Sequence, residues 1–183
     1  MMFNQDTSAL VLVDYQTRLM PSLHEAEEAI ASALFLAKVA QVLEIPILGT
    51  EQNPDGLGPN DERVKAFCDQ TIVKHFFNGA EDGLATAIKK INPAITQVVL
   101  AGCEAHVCLM QTALGLQAMG YEVAVVPEAS SSRMPQDKML AIDRMRQQKI
   151  AMLGAEMLVF EWLKTSDHQQ FKNVLQLIKN RSA

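Results

Sequence analysis

Residues 101–115 read "AGCEAHVCLMQTALG" and place Cys103, His106 and Cys108 within six positions, just ahead of a segment with helical periodicity. Three chemistries use such residues: zinc binding, dithiol exchange, and attack by a single thiol. Cys103, His106 and Cys108 match no common zinc spacing, and the sequence offers no evident fourth ligand. A redox pair calls for Cys-x-x-Cys, whereas four residues separate these thiols. The single reactive thiol fits best. His106 could serve as its base, but two positions apart on a helix the side chains point to different sides. Only an irregular helix start keeps that dyad open.

A reactive thiol needs a proton acceptor and something that favours the anion. Ligands of open parallel sheets bind beyond the carboxyl ends of the strands, so residues that directly follow apolar strand-like runs are the candidates. Asp14 ends "SALVLVD" (8–14), Lys74 ends "QTIVK" (70–74), and Cys103 and Cys108 lie just beyond "TQVVLAG" (96–102). Each has a plainer reading. Asp14 alone reads as a turn residue, Lys74 as a solvated flank, and a free cysteine as an inert core residue. Their joint delivery to one sheet edge favours chemistry. With a helix starting near 105–107, Cys108 falls in the first turn, where free N–H groups and the macrodipole favour an anion. Lys74 would lower the thiol below the usual ~8.5, and Asp14 would take the proton and return it to a leaving group. Cys103 reads as a packed small hydrophobe. Cys68, in "DERVKAFCDQ", reads as core or partly buried surface.

The elements that position these groups alternate strand and helix. Strand-like runs are 8–14, "IPILGT" (45–50), 70–74, 96–102, "YEVAVVPEA" (121–129) and "IAML" (150–153). Helical periodicity covers 25–44, 81–90, 106–120, 135–148, 155–163 and 169–180. Such repetition implies right-handed crossovers. The fold expected is a three-layer α/β/α sandwich with a doubly wound, mostly parallel sheet of about six strands, over a single domain spanning 1–183. "EQNPDGLGPND" (51–61) reads as a long loop covering the site. Six methionines on helix or late-strand segments, Met110, Met119, Met139, Met145, Met152 and Met157, read as core more readily than interface.

A formal charge of −5 with scattered signs argues against nucleic acid or an anionic membrane as partner. No apolar run reaches the ~18 residues of a membrane span, and the start "MMFNQDTSALVLVDYQ" lacks a basic n-region. Three cysteines make a disulfide framework unexpected and a reducing cytoplasm the expected compartment.

The segments "VLVDYQ", "TIVKHFF" and "LAGCEAHVCLMQTAL" together resemble the isochorismatase-like cysteine hydrolases, whose Asp–Lys–Cys triad matches here in identity and order. "GTEQNPDGLGP" and "EASSSRMPQDKMLAIDRMRQ" extend the likeness to the subgroup of isochorismatase domain-containing proteins. The resemblance implies that Cys108 is the nucleophile, Asp14 the general base and acid, and Lys74 the cation holding both. It also implies a cis peptide between Cys103 and Glu104 and an oxyanion hole from the backbone N–H groups of Glu104 and Cys108. The Glu104 side chain would be structural or pocket-lining. Metal-binding relatives use an Asp and two histidines, but the matching loop carries Glu51, Gln52 and Asn53. No metal and no cofactor are therefore expected, and nicotinamidase activity is discounted. Glu128 stands where relatives commonly have Asp.

The expected activity is hydrolysis of a small molecule at an amide-type C–N bond through a cysteine acyl-enzyme. The alternatives are isochorismatase-type vinyl ether hydrolysis driven by Asp14, or a non-catalytic binding protein on the same scaffold. Tyr15, Gln52, Phe76, Phe77 and His106 are the candidates for substrate contact. Whether Glu51 contributes is left open. The resemblance makes a homo-oligomer plausible.

Overall fold

The computed structural model of the chain describes residues 2–181; Met1, Ser182 and Ala183, the ends of the expected 1–183 domain, lie outside the described residues. Six strands are present: β1 (Ser8–Val13), β2 (Ile47–Gln52), β3 (Gln70–Lys74), β4 (Gln97–Gly102), β5 (Glu122–Val125) and β6 (Ala151–Met152). They form one all-parallel sheet in the order β3-β2-β1-β4-β5-β6. The helices are α1 (Ala26–Val42), α2 (Pro54–Leu57), α3 (Glu62–Lys65), α4 (Ala85–Ile91), α5 (Met110–Ala118), α6 (Pro135–Gln147), α7 (Ala155–Leu163) and α8 (Phe171–Arg181).

Period-2 alternation sorts each central strand between two cores. Leu10 and Leu12 of β1 pack with residues of α1, α7 and α8, while Ala9, Val11 and Val13 pack with residues of α4, α5 and α6. Both faces are covered, so β1 and β4 are buried along their whole lengths and read as continuous apolar runs. This is the three-layer α/β/α sandwich that the strand–helix alternation implies.

The strand order puts a switch point between β1 and β4. From β1 the chain winds outward through β2 and β3, then returns to lay β4 on the other side of β1. Connections diverge there, which opens a crevice at the carboxyl ends of those two strands. Gly102 makes the close approach: its φ is +148°, and a Cβ there would lie 2.1 Å from the Val13 carbonyl oxygen. No other residue fits that position.

Several boundaries differ from the sequence reading. β2 runs on through Gln52, and 54–57 coil into α2, so the expected loop 51–61 is largely ordered structure. β5 stops at Val125, because a 3₁₀ turn starts at Pro127. The expected helix over 81–90 begins with an irregular turn, Ala80–Leu84, broken by Gly83 at φ +98°, before α4 proper. Of the six methionines, Met145 and Met110 are buried, whereas Met119, Met139 and Met157 are exposed. Their helices present those positions to solvent, so the expectation of core fails for these three.

Candidate active site

Asp14 follows the last residue of β1 and turns the chain with φ +53°, a left-handed conformation that Asp tolerates better than most residues. Its Oδ1 accepts the hydroxyl of Thr50 at 2.6 Å. Its Oδ2 lies 2.7 Å from the Lys74 ammonium, and among the described residues no aligned hydrogen bond occupies that oxygen. Lys74 ends β3, which β2 separates from β1. At ~4.8 Å per strand the ammonium must cross roughly 10 Å of sheet edge, a distance suited to a long side chain. Both side chains are 0% exposed. On its way the ammonium also meets Gln52, whose Oε1 accepts from Nζ at 2.7 Å. The register pairs Gln52 directly with Lys74, so the two side chains share a face.

Cys108 arrives from the other side of the switch point. After β4 the Cys103–Glu104 peptide is cis, and residues Ala105–Leu109 form a single wide π turn that leads into α5. The N–H groups of Ala105, Val107 and Leu109 bond to the carbonyls of Ser131, Glu104 and Glu104. Among the described residues, those of Glu104, His106 and Cys108 find no acceptor outside the helix. Cys108 is 7% exposed, with Gln52 Oε1 3.9 Å from its sulfur and Asp14 and Lys74 as the charged groups that act on it. Burial pushes the thiol up to about 12; the Asp14 charge adds to that and the Lys74 ammonium opposes it. The sequence reading expected a lowered thiol. Desolvation outweighs the cation here and favours the neutral S–H.

The other predicted residues are distributed more widely. Cys103 is fully buried in the α1-side core, and burial pushes it to about 12. Cys68 is half-buried, pushed to about 11 by burial first and then by Asp69 and Glu51. Tyr15 is also fully buried, and its hydroxyl donates to the Ala129 carbonyl, so it supports the fold rather than facing a ligand. His106 Nδ1 is 3.0 Å from Ser132 Oγ and Nε2 is 4.0 Å from Asp137, so the ring engages the 132–137 segment and forms no dyad with Cys108. Glu51 is occupied by the N–H of Asn60 at 2.9 Å and by Lys65 at 3.1 Å. Phe76 and Phe77 are 62% and 52% exposed and line a cleft of about 510 Å3 with Gln111, Leu114 and Gly115 of α5. Cys108 is one helical turn from Gln111, so this cleft adjoins the thiol's helix.

The Glu104 carboxylate is gripped by Arg133 Nε at 3.1 Å and Nη2 at 3.0 Å. Burial works against its ionisation, but the Arg133 hydrogen bonds win and hold it below the usual carboxylate range. That side chain ties the turn to Arg133, whose backbone N–H also donates to Glu104 Oε2 at 3.2 Å.

Several supports went unseen in the sequence. Asp82 accepts from the backbone of His75 and Phe76, which closes the loop directly after Lys74. Thr112 Oγ1 accepts from the Gly79 N–H at 3.0 Å and pins that loop to α5. Gln16 bonds both backbone groups of Gln52. The only signal for Gln16 and Thr50 was their place at strand ends beside Asp14.

This sandwich, with polar side chains gathered at the switch-point edge, has the architecture of the isochorismatase-like hydrolases. The chain belongs to that family: the family model described as the isochorismatase domain matches residues 8–157. Isochorismatase domain-containing protein 2A of Mus musculus is 34% identical over 95% of this chain and 84% of its own length. The MAR1 ribonuclease of Caenorhabditis elegans superposes with a TM-score of 0.90 at 31% identity, covering 98% of this chain and 93% of that one. The YcaC gene product of Escherichia coli, an octameric hydrolase of unknown specificity, superposes at 0.81 over 98% and 97% of the chains and, at 22% identity, shares the fold.

Proposed function

We propose that this protein is a cysteine hydrolase of a small molecule, cleaving an amide-type C–N bond with Asp14, Lys74 and Cys108 as its catalytic residues. One observation carries the reading: a wholly buried carboxylate–ammonium pair bears on a single, barely exposed thiol. Burying two charges costs several kcal/mol per ion before their attraction is counted, and a core of this type has no structural need for them.

In the proposed cycle substrate binds beside the thiol, and the Cys108 S–H proton passes to Asp14 Oδ2 as sulfur bonds to the carbonyl carbon. The carbonyl π electrons move to oxygen, which rests against the N–H groups of Glu104 and Cys108. The oxyanion collapses, the C–N bond breaks, and Asp14 returns its proton to the departing nitrogen. Water then attacks the thioester, Asp14 takes the water's proton, and the thiol leaves protonated as the acid is released. Lys74 stays charged throughout and limits the cost of each anion. Glu51 and Gln52 are not available to a metal in this scheme: Glu51 is held by Lys65 and Asn60, and Gln52 by Lys74. Exposed apolar side chains on α6 and α7, Met139, Leu140, Met157 and Phe160, support a homo-oligomer. A cytoplasmic location belongs to the same proposal.

The test is mass spectrometry of Cys108 after exposure to small amides, esters and carbamoyl compounds, with turnover measured alongside. Wild type should carry an acyl adduct on Cys108, and Cys108→Ala should lose turnover while remaining folded. Activity retained in Cys108→Ala but lost in Asp14→Ala would overturn the reading in favour of ether hydrolysis without a nucleophile. The likeness to a protein named as a ribonuclease makes RNA cleavage a second reading; RNA degradation that survives Cys108→Ala would select it.

A further inference from the structure

Gln52 stands at the centre of the site with both ends of its amide committed. Nε2 donates to the His75 carbonyl at 2.7 Å, which fixes which end is which. Oε1 therefore faces Lys74 Nζ at 2.7 Å and Cys108 Sγ at 3.9 Å. The backbone of Gln52 is equally constrained. Its N–H donates to Gln16 Oε1 at 2.8 Å, and its carbonyl accepts from Gln16 Nε2 at 3.0 Å. Gln16 is itself fully buried and donates again to the Gly58 carbonyl at 2.6 Å. Two buried glutamines thus hold one carbonyl oxygen at a single point between ammonium and sulfur.

That oxygen can only accept. It suits an S–H and an ammonium, and it disfavours a thiolate. We propose that Gln52 is a positioning residue that holds the Lys74 ammonium and the Cys108 S–H through one carbonyl oxygen, with Gln16 as its clamp. The thiol proton rests toward Gln52 in the free enzyme and transfers to Asp14 when substrate turns the sulfur, so Gln52 itself neither gains nor loses a proton. The sulfur is held unreactive until the site is filled. The charged groups that bear on the thiol are Asp14 from the end of β1 and Lys74 from the end of β3.

This inference rests on Cys108 as the reactive thiol but is read without any substrate. The probe is iodoacetamide at about pH 7, with alkylation at Cys108 resolved from Cys103 by fragment mass spectrometry; turnover by Cys108→Ala, measured alongside, tests the assignment of the nucleophile separately. Gln52→Leu removes an acceptor worth about a fivefold change in thiolate fraction. Lower basicity returns about half of that logarithmically, so Cys108 should alkylate about two- to threefold faster than in wild type. Gln52→Glu keeps the size of the side chain, exchanges the Nε2 donor to the His75 carbonyl for an acceptor and adds an anion beside the sulfur, and should alkylate at least about tenfold slower. Opposite signs are the signature, since a merely structural residue would move both variants the same way. Equal rates in all three proteins, or a Glu variant as fast as wild type, would overturn the proposal. The isosteric Glu variant decides the matter by itself if the Leu variant does not fold.

Discussion

Replacing Lys74 with methionine removes one charge from the buried pair while keeping most of the aliphatic stem. Asp14 then remains fully buried with, among the described residues, only the Thr50 hydroxyl at 2.6 Å as its carboxylate's partner. Breaking a buried ion pair from one side costs about 3–5 kcal/mol, because the surviving charge is left unpaired. Against a total stability of about 5–15 kcal/mol, that is a large fraction. For a chain of this length it corresponds to a fall in Tm of about 6–20 °C. The second variant is Asp14→Asn, chosen because Asn also tolerates φ near +53° and can still accept from Thr50. Alone it strands the ammonium against Gln52. The double variant, Asp14→Asn with Lys74→Met, has no unpaired charge and should recover most of the lost stability. Urea unfolding of all four proteins gives the coupling energy directly. A Lys74→Met protein within about 1 kcal/mol of wild type, or a double variant no more stable than the worse single one, would mean that the pair does not hold this edge together.

Two further outcomes follow from the same geometry. Burial holds Cys108 and Cys103 at about 12 and Cys68 at about 11 in the folded chain, above the ~8.5 of a free thiol. Between those values the unfolded chain has released protons that the folded one retains, so the thiols' contribution should be constant below about pH 8 and stability should fall as pH rises from about 9; urea titrations across that window in wild type and Cys103→Ala check it, and the variant should show the shallower decline. Gly102→Ala would force a methyl group to 2.1 Å from the Val13 carbonyl and push β1 and β4 apart at the switch point. It should destabilise the protein by about 3 kcal/mol or more, measured by thermal unfolding, whereas Gly120→Ala meets no atom within 4 Å and is strained by its φ of +92° alone.

How much of this was legible beforehand differs by residue. The parallel sandwich was, because alternating apolar runs and 3.6-residue periods are local signals that covering both faces of a sheet makes emphatic. Asp14, Lys74 and Cys108 were legible as strand-end residues, since a chain that winds β-α-β must bring its strand tips to one edge. Tyr15 shared Asp14's neighbourhood in sequence, but the turn at φ +53° sends it into the core. His106 sits within two positions of Cys108, yet the π turn sends its ring toward Ser132.

Residue order by itself determined which strand tips carry ionisable side chains and that they share an edge, because strand polarity and crossover handedness are properties of the chain. Tertiary structure alone decided the protonation and the partners of those groups. The thiol is neutral because packing removes water from it, an energy set by atoms brought in from β1, β3 and α5 together. Gln16, Thr50 and Thr112 act only through neighbours 30 or more positions away, and no local pattern records such a pairing.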